Sequence, residues 1–427
     1  MPIKPAIRNR EHEDIITNSA PLRILFLMGY FPSVSTTFIF NQITGLLDLG
    51  HNVSIAALKR SADHVIHPQV RAYDLQSRTR YINIPRNRIL RILKAIFLFF
   101  TRFHAGPARI LKSLNVVRFG KNALNLNLFY YILPFLGRKY DVIHCHFGPN
   151  GTIGAYLSKL GLPGKIITTF YGYDLTRIPR ESPKPYAFLF KRGSFFLPIC
   201  DAFRRALLEL GCPSHRITVH PIGIDTRSFV PPGVQRSESG INILTAANFM
   251  EKKGYAYALE AVARVMTSHD NVHYLICGDG PLRKEIANQA KQLNITGRIT
   301  FTGMLASDEL ILLYARSHIF LLPSVTAADG DQEGTPTVLL EAQAMELPVV
   351  SSRHSGIPEI VQDGKTGMLN DERDVDGIAA CLETLVSKPG LRLEMGREGR
   401  KFVTRNFDIR DLNKRLLSIY QQTLQGG

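Results

Sequence analysis

Residues 22–58 read LRILFLMGYFPSVSTTFIFNQITGLLDLGHNVSIAAL. The run from Leu22 to Gly29 is apolar, short and closed by a glycine. Phe38 to Gly50 carries apolar residues at helical spacing up to a glycine stop, and Asn52 to Leu58 is a second short apolar run. Strand, helix and strand at this spacing form a βαβ unit, which requires a parallel crossover.

The same grammar recurs outward from this stretch. DVIHCHFG (141–148) leads into NGTIGAYLSKLGL (150–162); KIITTFYG (165–172), SFFLPIC (194–200) and AFRRALLELGC (202–212) continue the series. Residues 230–240, VPPGVQRSESG, are rich in Pro, Gly and Ser and lack periodicity, so they read as a linker. A second alternating series follows, through INILTAANF (241–249), GYAYALEAVARVM (254–266), NVHYLICGDG (271–280), IFLLPS (319–324), TPTVLLEAQAM (335–345) and LPVVSS (347–352). The pattern predicts an α/β protein of two Rossmann-like, doubly wound domains facing a cleft. The expected divisions are a flexible leader at 1–20, a first domain at 21–230, a linker at 231–240, a second domain at 241–405 and a helical tail at 406–427. Ligands of such sheets bind outside the carboxyl ends of the strands.

Composition sets the class. With 427 residues, 45% hydrophobic and 21% charged, the chain is long enough for two or three cores and is neither disordered nor fibrous. No apolar run reaches the ~20 residues of a membrane-crossing helix. The polar N-terminus lacks the apolar stretch of a signal peptide, which predicts a cytoplasmic protein. Cys145, Cys200, Cys212, Cys277 and Cys381 are scattered in apolar surroundings and read as buried thiols, not as disulfides or zinc ligands. Charge is lopsided. Residues 1–236 hold 32 Lys and Arg against 12 Asp and Glu, and no acid lies between Asp74 and Asp141. That asymmetry points to a polyanion or an anionic membrane.

The richest stretch for chemistry is DGDQEGTPTVLLEAQAMELPVV (329–350). Acids and glycines precede a helix that Pro336 suits in its first turn and that Thr335 is placed to cap. A helix N-terminus offers free N–H groups to phosphate. Glu333 precedes the helix and Glu341 lies more than one turn inside, so the two carboxylates address different places, as a sugar and a ribose would require. An acidic loop before an ordinary helix would show the same spacing.

Glu333 and Glu341 form an E-x7-E motif. With its flanks PSVTAADGDQEGTPTVLLEA and LPVVSSRHSGIPEIVQDGKTG it resembles the retaining glycosyltransferases of family 4, which have the GT-B fold. EKKGY (251–255), ICGDGPLR (276–283), ITFTGM (299–304), HPIGID (220–225) and HCHFG (144–148) look like further family segments, and FPSVSTTFIFNQI is similar to the colanic-acid and exopolysaccharide type. The resemblance spans Leu22 to Phe407. It implies that Glu333 binds donor-sugar hydroxyls and stabilises the transition state, that Glu341 binds the ribose, and that Lys253 neutralises the donor diphosphate. Gly334, Thr335 and the N–H groups of Thr337 and Val338 would complete the donor site, with the base near Gly303 and Met304. A cation beside the leaving diphosphate fits the chemistry, since that group gains charge as the glycosidic bond breaks. Three positions depart from the family. Asn248 stands where an Arg is usual among the donor contacts, Tyr171 where a His is usual, and Glu346 where a Gly is usual.

The resemblance also implies acceptor contacts near Asp174, whose plain reading is an Asx turn, and a sugar contact at Tyr171. His144 and His146 share a strand face, and His146, nearer the carboxyl end, is the candidate for a cleft-rim acceptor contact. ICGDGPLR fails as a dinucleotide fingerprint because Arg283 occupies the third glycine position. The DGD at 329–331 has no further metal ligands in view, so neither a metal nor another cofactor is expected.

RILRILKAIFLFF (88–100) places Ile89, Ile92, Leu93, Ile96, Phe97 and Phe100 on one helical face and Arg88, Arg91 and Lys94 on the other. This predicts an interfacial helix on an anionic membrane, with the apolar face in the leaflet and the cations beside it. The alternative is a core helix packed on the sheet. The resulting expectation is a hexosyltransferase-type enzyme. It would use a nucleotide-sugar donor and a lipid-linked or oligosaccharide acceptor in exopolysaccharide synthesis, peripheral on the cytoplasmic face of the inner membrane. Nucleic acid is not an expected partner, since no binding motif accompanies the charge. A sugar-nucleotide epimerase of the same fold and a non-catalytic nucleotide-sugar binder stay open.

Overall fold

The computed structural model of the chain describes residues 20–33, 37–61, 68–231 and 240–426. The leader expected at 1–20 and the linker expected at 231–240 lie almost wholly outside them. By proximity the described residues group into two compact units. One holds the chain up to Thr169, Tyr186–Phe196 and Asn413 onward; the other holds Phe170–Pro185 and Leu197–Leu412. The grouping therefore differs from a single division at 231–240.

The first unit is built on six parallel strands, β1 (Arg23–Phe31), β2 (Asn52–Arg60), β3 (Thr79–Tyr81), β4 (Val142–His146), β5 (Lys165–Phe170) and β6 (Phe195–Pro198), in the order β3-β2-β1-β4-β5-β6. The second has β7 (Ile241–Ala246), β8 (Val272–Cys277), β9 (Ile299–Gly303), β10 (Ile319–Leu322), β11 (Val349–Ser352) and β12 (Gly367–Asn370), in the order β12-β11-β10-β7-β8-β9. Each sheet starts in its middle, winds to one edge, then returns to wind to the other, which is the doubly wound order. Burial on both faces explains why these strands are apolar runs: all five residues of β4 are buried. Side chains alternate between faces. On β7, Ile241 and Ile243 join Leu259 and Val262 in one layer, while Leu244 and Ala246 join Leu339 and Leu340 in the other.

The part of the helix Ile409–Gln425 that belongs to the first unit, from Asn413 onward, buries Leu416, Leu417 and Tyr420. The Tyr420 hydroxyl lies 2.6 Å from His144 Nδ1, and His144 Nε2 lies 2.7 Å from Thr169 Oγ1, so His144 is spent on joining strand to helix. Asn413 Nδ2 donates to the Asn41 carbonyl at 3.0 Å, in space that any side chain at Gly45 would fill.

The helix Arg88–Arg102 is capped by Asn87, whose side chain accepts from the Leu90 N–H at 3.1 Å. Its orientation decides between the two sequence readings. Ile89, Ile92, Leu93, Ile96, Phe97 and Phe100 are all exposed, Phe97 at 65% and Phe100 at 76%, and only Ala95 is buried. The core-helix alternative fails on that observation. The cationic side is divided: Arg88 and Lys94 are exposed as expected, whereas Arg91 is tied to the protein. Arg91 is not a surface charge: its guanidinium donates to the carbonyls of Pro85 at 2.8 Å and Asn125 at 3.2 Å. Lys94, itself exposed, lines an open cavity with Leu98 and Arg102.

Glu346, in the family's glycine position, has φ +57. The helix Pro389–Asn406 comes so close that a Cβ at Gly396 would strike the Glu346 carbonyl, so this turn has no room to relax. A left-handed non-glycine residue costs roughly 1–2 kcal/mol, part of which glycine gives back in unfolded-state entropy. Glu346→Gly is expected to raise unfolding stability by about 0.5–1 kcal/mol, read as a higher urea midpoint at unchanged slope.

Candidate functional site

In the second sheet the winding direction reverses between β7 and β10. Loops leaving adjacent strands there diverge and open a crevice at their carboxyl ends. The β7 loop carries Glu251–Lys253 as a short 3-10 turn, and the β10 loop runs from Pro323 to Pro336. Three ties hold the loops together. Val325 N–H donates to the Lys252 carbonyl at 2.9 Å, Ala328 N–H donates to Glu251 Oε1 at 3.1 Å, and left-handed Gly254 lies where a Cβ would strike the Pro323 carbonyl. Glycine at 254 is required on both counts, conformation and space.

These ties bring Lys252 and Lys253 onto the carboxylate of Glu333. Lys253 Nζ is 3.0 Å from Glu333 Oε2; Lys252 Nζ is 3.2 Å from Oε1 and 3.0 Å from Asp331 Oδ2. Glu333 is 8% exposed. Burial alone would push its carboxyl up, but the Lys253 and Lys252 ammonium groups outweigh that and hold it at about 2. Lys252 is shifted the opposite way, upward: burial lowers it, but Glu333 and Asp331 more than offset this. The site is thus an ionised carboxylate and two ammonium groups at a switch point.

The backbone of Glu333 is also held. Its N–H donates to His354 Nε2 at 3.0 Å, which places the imidazole proton on Nδ1, 2.6 Å from Glu372 Oε1. Glu372 accepts in turn from Thr326 N–H at 2.7 Å and Thr326 Oγ1 at 3.2 Å. His354, Glu372, Lys252 and Asp331 are the members that sequence reasoning did not assign. EKKG contained Lys252 and SSRHSG contained His354, but nothing in the string says that His354 reaches back 21 residues.

Glu341 lies inside the helix Thr337–Ala344 and accepts from the Tyr314 hydroxyl at 2.9 Å. Burial pushes its carboxyl up to about 7, against the hydrogen bonds from Tyr314 and Thr337. The cap expected from Thr335 is absent. The helix starts at Thr337 with Pro336 in the capping position (φ −60, ψ 119), which has no side-chain acceptor, and the buried Thr335 Oγ1 has no hydrogen-bond partner among the described residues. Thr337 and Val338 are the first two helical residues, whose N–H groups have no intrahelical acceptor. Asn248 is exposed just past β7; Gly303 ends β9, and Met304 follows it, exposed.

Tyr171, Gly172 and Arg177 meet the same loop. A Cβ on Gly334 would lie 2.6 Å from the Tyr171 carbonyl, and Arg177 pairs with Asp329 at 3.5 Å. Asp174 Oδ1 accepts from the Tyr171 and Gly172 N–H groups at 3.1 and 2.9 Å, so it closes a turn. Phe170–Pro185 therefore forms one wall of the Glu333 loop. His146 does not stand at a rim. It is fully buried, stacked on Phe26 at 4.9 Å and His144 at 4.4 Å, and burial pushes its imidazole down to about 3, which keeps it neutral. The apolar β1 neighbour leaves that ring no exposed edge.

Comparison with known proteins agrees with this geometry. Residues 35–228 match the model for glycosyltransferase family 4, and residues 231–402 match that for glycosyl transferases group 1. The chain is 34% identical to the putative colanic acid biosynthesis glycosyltransferase WcaL of Salmonella typhimurium, over 94% of this chain and 100% of that protein. It is 32% identical to the amylovoran biosynthesis glycosyltransferase AmsK of Erwinia amylovora, over 84% and 90% respectively. Among solved structures, Anabaena HepE in complex with UDP and glucose superposes with a TM-score of 0.70 at 15% identity, over 94% of this chain and 100% of that one, which speaks for the fold. A glycosyltransferase from Rickettsia africae gives 0.70 at 17% identity, over 96% and 100%. The chain belongs to the group 1, family 4 glycosyltransferases, enzymes of the hexosyltransferase type with two Rossmann-like domains of the GT-B fold.

Proposed function

We propose that this enzyme moves a sugar, with retention of configuration, from a nucleoside-diphosphate sugar to a lipid-linked glycan acceptor in the synthesis of a surface polysaccharide. The carrying observation is the pairing of Lys252 and Lys253 with Glu333 at the β7/β10 switch point. In this reading the two ammonium groups move from Glu333 onto the donor diphosphate, and the carboxylate turns to the sugar. Lys252 supplies the second cation that Asn248 does not. The reaction takes no cofactor and no metal, because the lysines and the helix N–H groups of Thr337 and Val338 carry the charge that develops on the leaving group. The relatives named for colanic acid and amylovoran biosynthesis support a polysaccharide product, and HepE, solved with UDP and glucose, supports a nucleotide-sugar donor. No helix among the described residues is long and apolar enough to cross a membrane. The exposed apolar face of Arg88–Arg102 supports peripheral docking on the cytoplasmic face of the inner membrane.

A thermal-shift panel of UDP-, GDP-, ADP- and dTDP-sugars, with and without EDTA, tests the donor reading. One nucleotide class at about a hundred times its Kd is expected to stabilise the protein by about 2.7 kcal/mol irrespective of EDTA. No shift from any of them, or a shift abolished by EDTA, overturns it. Transfer of labelled sugar from that donor onto native membrane lipid then tests the acceptor.

Glu341 gives the donor site a pH signature. The neutral acid is favoured below about 7, and only the carboxylate accepts from two ribose hydroxyls. Donor Kd is expected to fall as pH rises from 6 to 8, and Glu341→Gln to weaken binding and flatten the profile. Folding runs the other way. A carboxyl raised in the folded state contributes stability below its unfolded value near 4.5, which is lost as pH rises towards 7. Titration calorimetry across this range checks the binding half.

A further inference from the structure

Behind the helix Arg88–Arg102, on the side away from its exposed apolar face, lies a cavity of about 460 Å³. Four cations line it: half-buried Arg80 from β3, and, at its open rim, the exposed Lys94 and Arg102 from the helix and Arg138 from the segment before β4. Leu98, Tyr130 and Leu133 give it an apolar floor, and among the described residues no Asp or Glu takes part. None could come from nearby in sequence, since residues 75–140 contain no acid. Among the described residues none of the four cations forms an ion pair. Arg91, the neighbouring helix cation, is by contrast satisfied by two carbonyls. The Arg80 guanidinium is held below its usual range, by burial first and then by the charge of Arg138.

Cations gathered around a cavity without a counter-charge repel one another, and an arrangement of that kind is stabilised by an anion. Guanidinium groups favour phosphate, whose oxygens accept two parallel hydrogen bonds from each fork. The volume suits a headgroup of small-molecule size. The rim suits an amphiphile, because the helix that roofs the cavity turns Ile96, Phe97 and Phe100 outward. A chain leaving the cavity would meet that apolar face.

We infer that this cavity binds the phosphate or diphosphate group of a lipid whose hydrocarbon part follows the exposed face of Arg88–Arg102. The inference deepens the acceptor reading above and rests on it for the lipid tail only; the anion rests on the cavity.

The test uses the full chain with its donor site saturated by the nucleotide that the thermal panel selects, or with none if none binds. Pyrophosphate and inorganic phosphate are titrated calorimetrically into the wild type, Arg80→Gln/Arg138→Gln and the exposed-residue variant Lys94→Gln. Loss of charge-assisted hydrogen bonds is expected to weaken pyrophosphate binding at least about tenfold in each variant. Flotation then compares phosphatidylcholine vesicles doped with a polyprenyl diphosphate against vesicles doped with equal charge as oleate. Wild type is expected to prefer the diphosphate vesicles. Arg80→Gln/Arg138→Gln should lose that preference, and Phe97→Asp/Phe100→Asp should lose both vesicles while keeping pyrophosphate. Affinities within twofold of wild type in the Lys94 and Arg80/Arg138 variants overturn the anion site, whatever the donor panel shows. Pyrophosphate binding without a vesicle preference assigns the site to a soluble phosphate compound and overturns the lipid.

Discussion

Glu333→Gln is expected to bind the nucleotide-sugar donor and fail to transfer from it. The carboxylate is already ionised, held at about 2 by Lys253 and Lys252 against its burial, so it enters the reaction charged at any physiological pH. Preorganised charge aimed at a developing centre contributes roughly 10²–10³ in rate per group, and Gln keeps the shape while removing the charge. A fall in kcat of about a thousandfold is expected. Affinity should move the other way if at all. Glu333 competes with the donor diphosphate for both ammonium groups at 3.0–3.2 Å, and the variant removes that competitor. Donor Kd should stay within about twofold or tighten. Retained turnover would remove Glu333 from the chemistry, and a large rise in Kd would make it a donor-binding residue instead. Single-turnover kinetics alongside calorimetry separate these outcomes.

Phe97→Asp/Phe100→Asp is expected to release the protein from vesicles without unfolding it. Both rings are largely exposed, so their replacement opens no cavity, and the thermal midpoint should not move. Burying one such ring in a leaflet contributes about 1.5–3 kcal/mol. Losing two lowers membrane partitioning by at least about a hundredfold, before the added carboxylates repel an anionic surface. Unchanged flotation would mean that the face serves another partner. Arg91 is the wrong residue for this experiment, since it carries the helix on the carbonyls of Pro85 and Asn125. Reversing its charge would dislodge the helix and mimic a membrane defect.

The strands were legible because a sheet covered on both faces demands apolar runs, and β1, β4, β7 and β10 supply them. Glu333, Glu341 and Lys253 were legible through a family motif. Local spacing could not reveal Lys252 over Asp331 or the His354 support of the Glu333 backbone, because both depend on which strands are neighbours. Periodicity groups the residues of one helix by face, yet it does not say which face meets the protein. Arg88–Arg102 shows the consequence: its apolar grouping was readable, while the gathering of Lys94 and Arg102 with Arg80 and Arg138 around one open cavity was not. The Thr335 cap failed because the helix starts one residue later than expected, with Pro336 in the capping position.

The His144–Tyr420 hydrogen bond bears on biosynthesis. Part of the first unit's interior, Leu416, Leu417 and Tyr420, is encoded about 250 residues after Thr169. At about 5–20 residues per second, roughly ten to fifty seconds of translation separate the two. During that interval the nascent sheet around β4 waits with the seat for Tyr420 open, a window in which a ribosome-bound chaperone would find its substrate. Shortening the gene ahead of Asn413 would leave that window open for good.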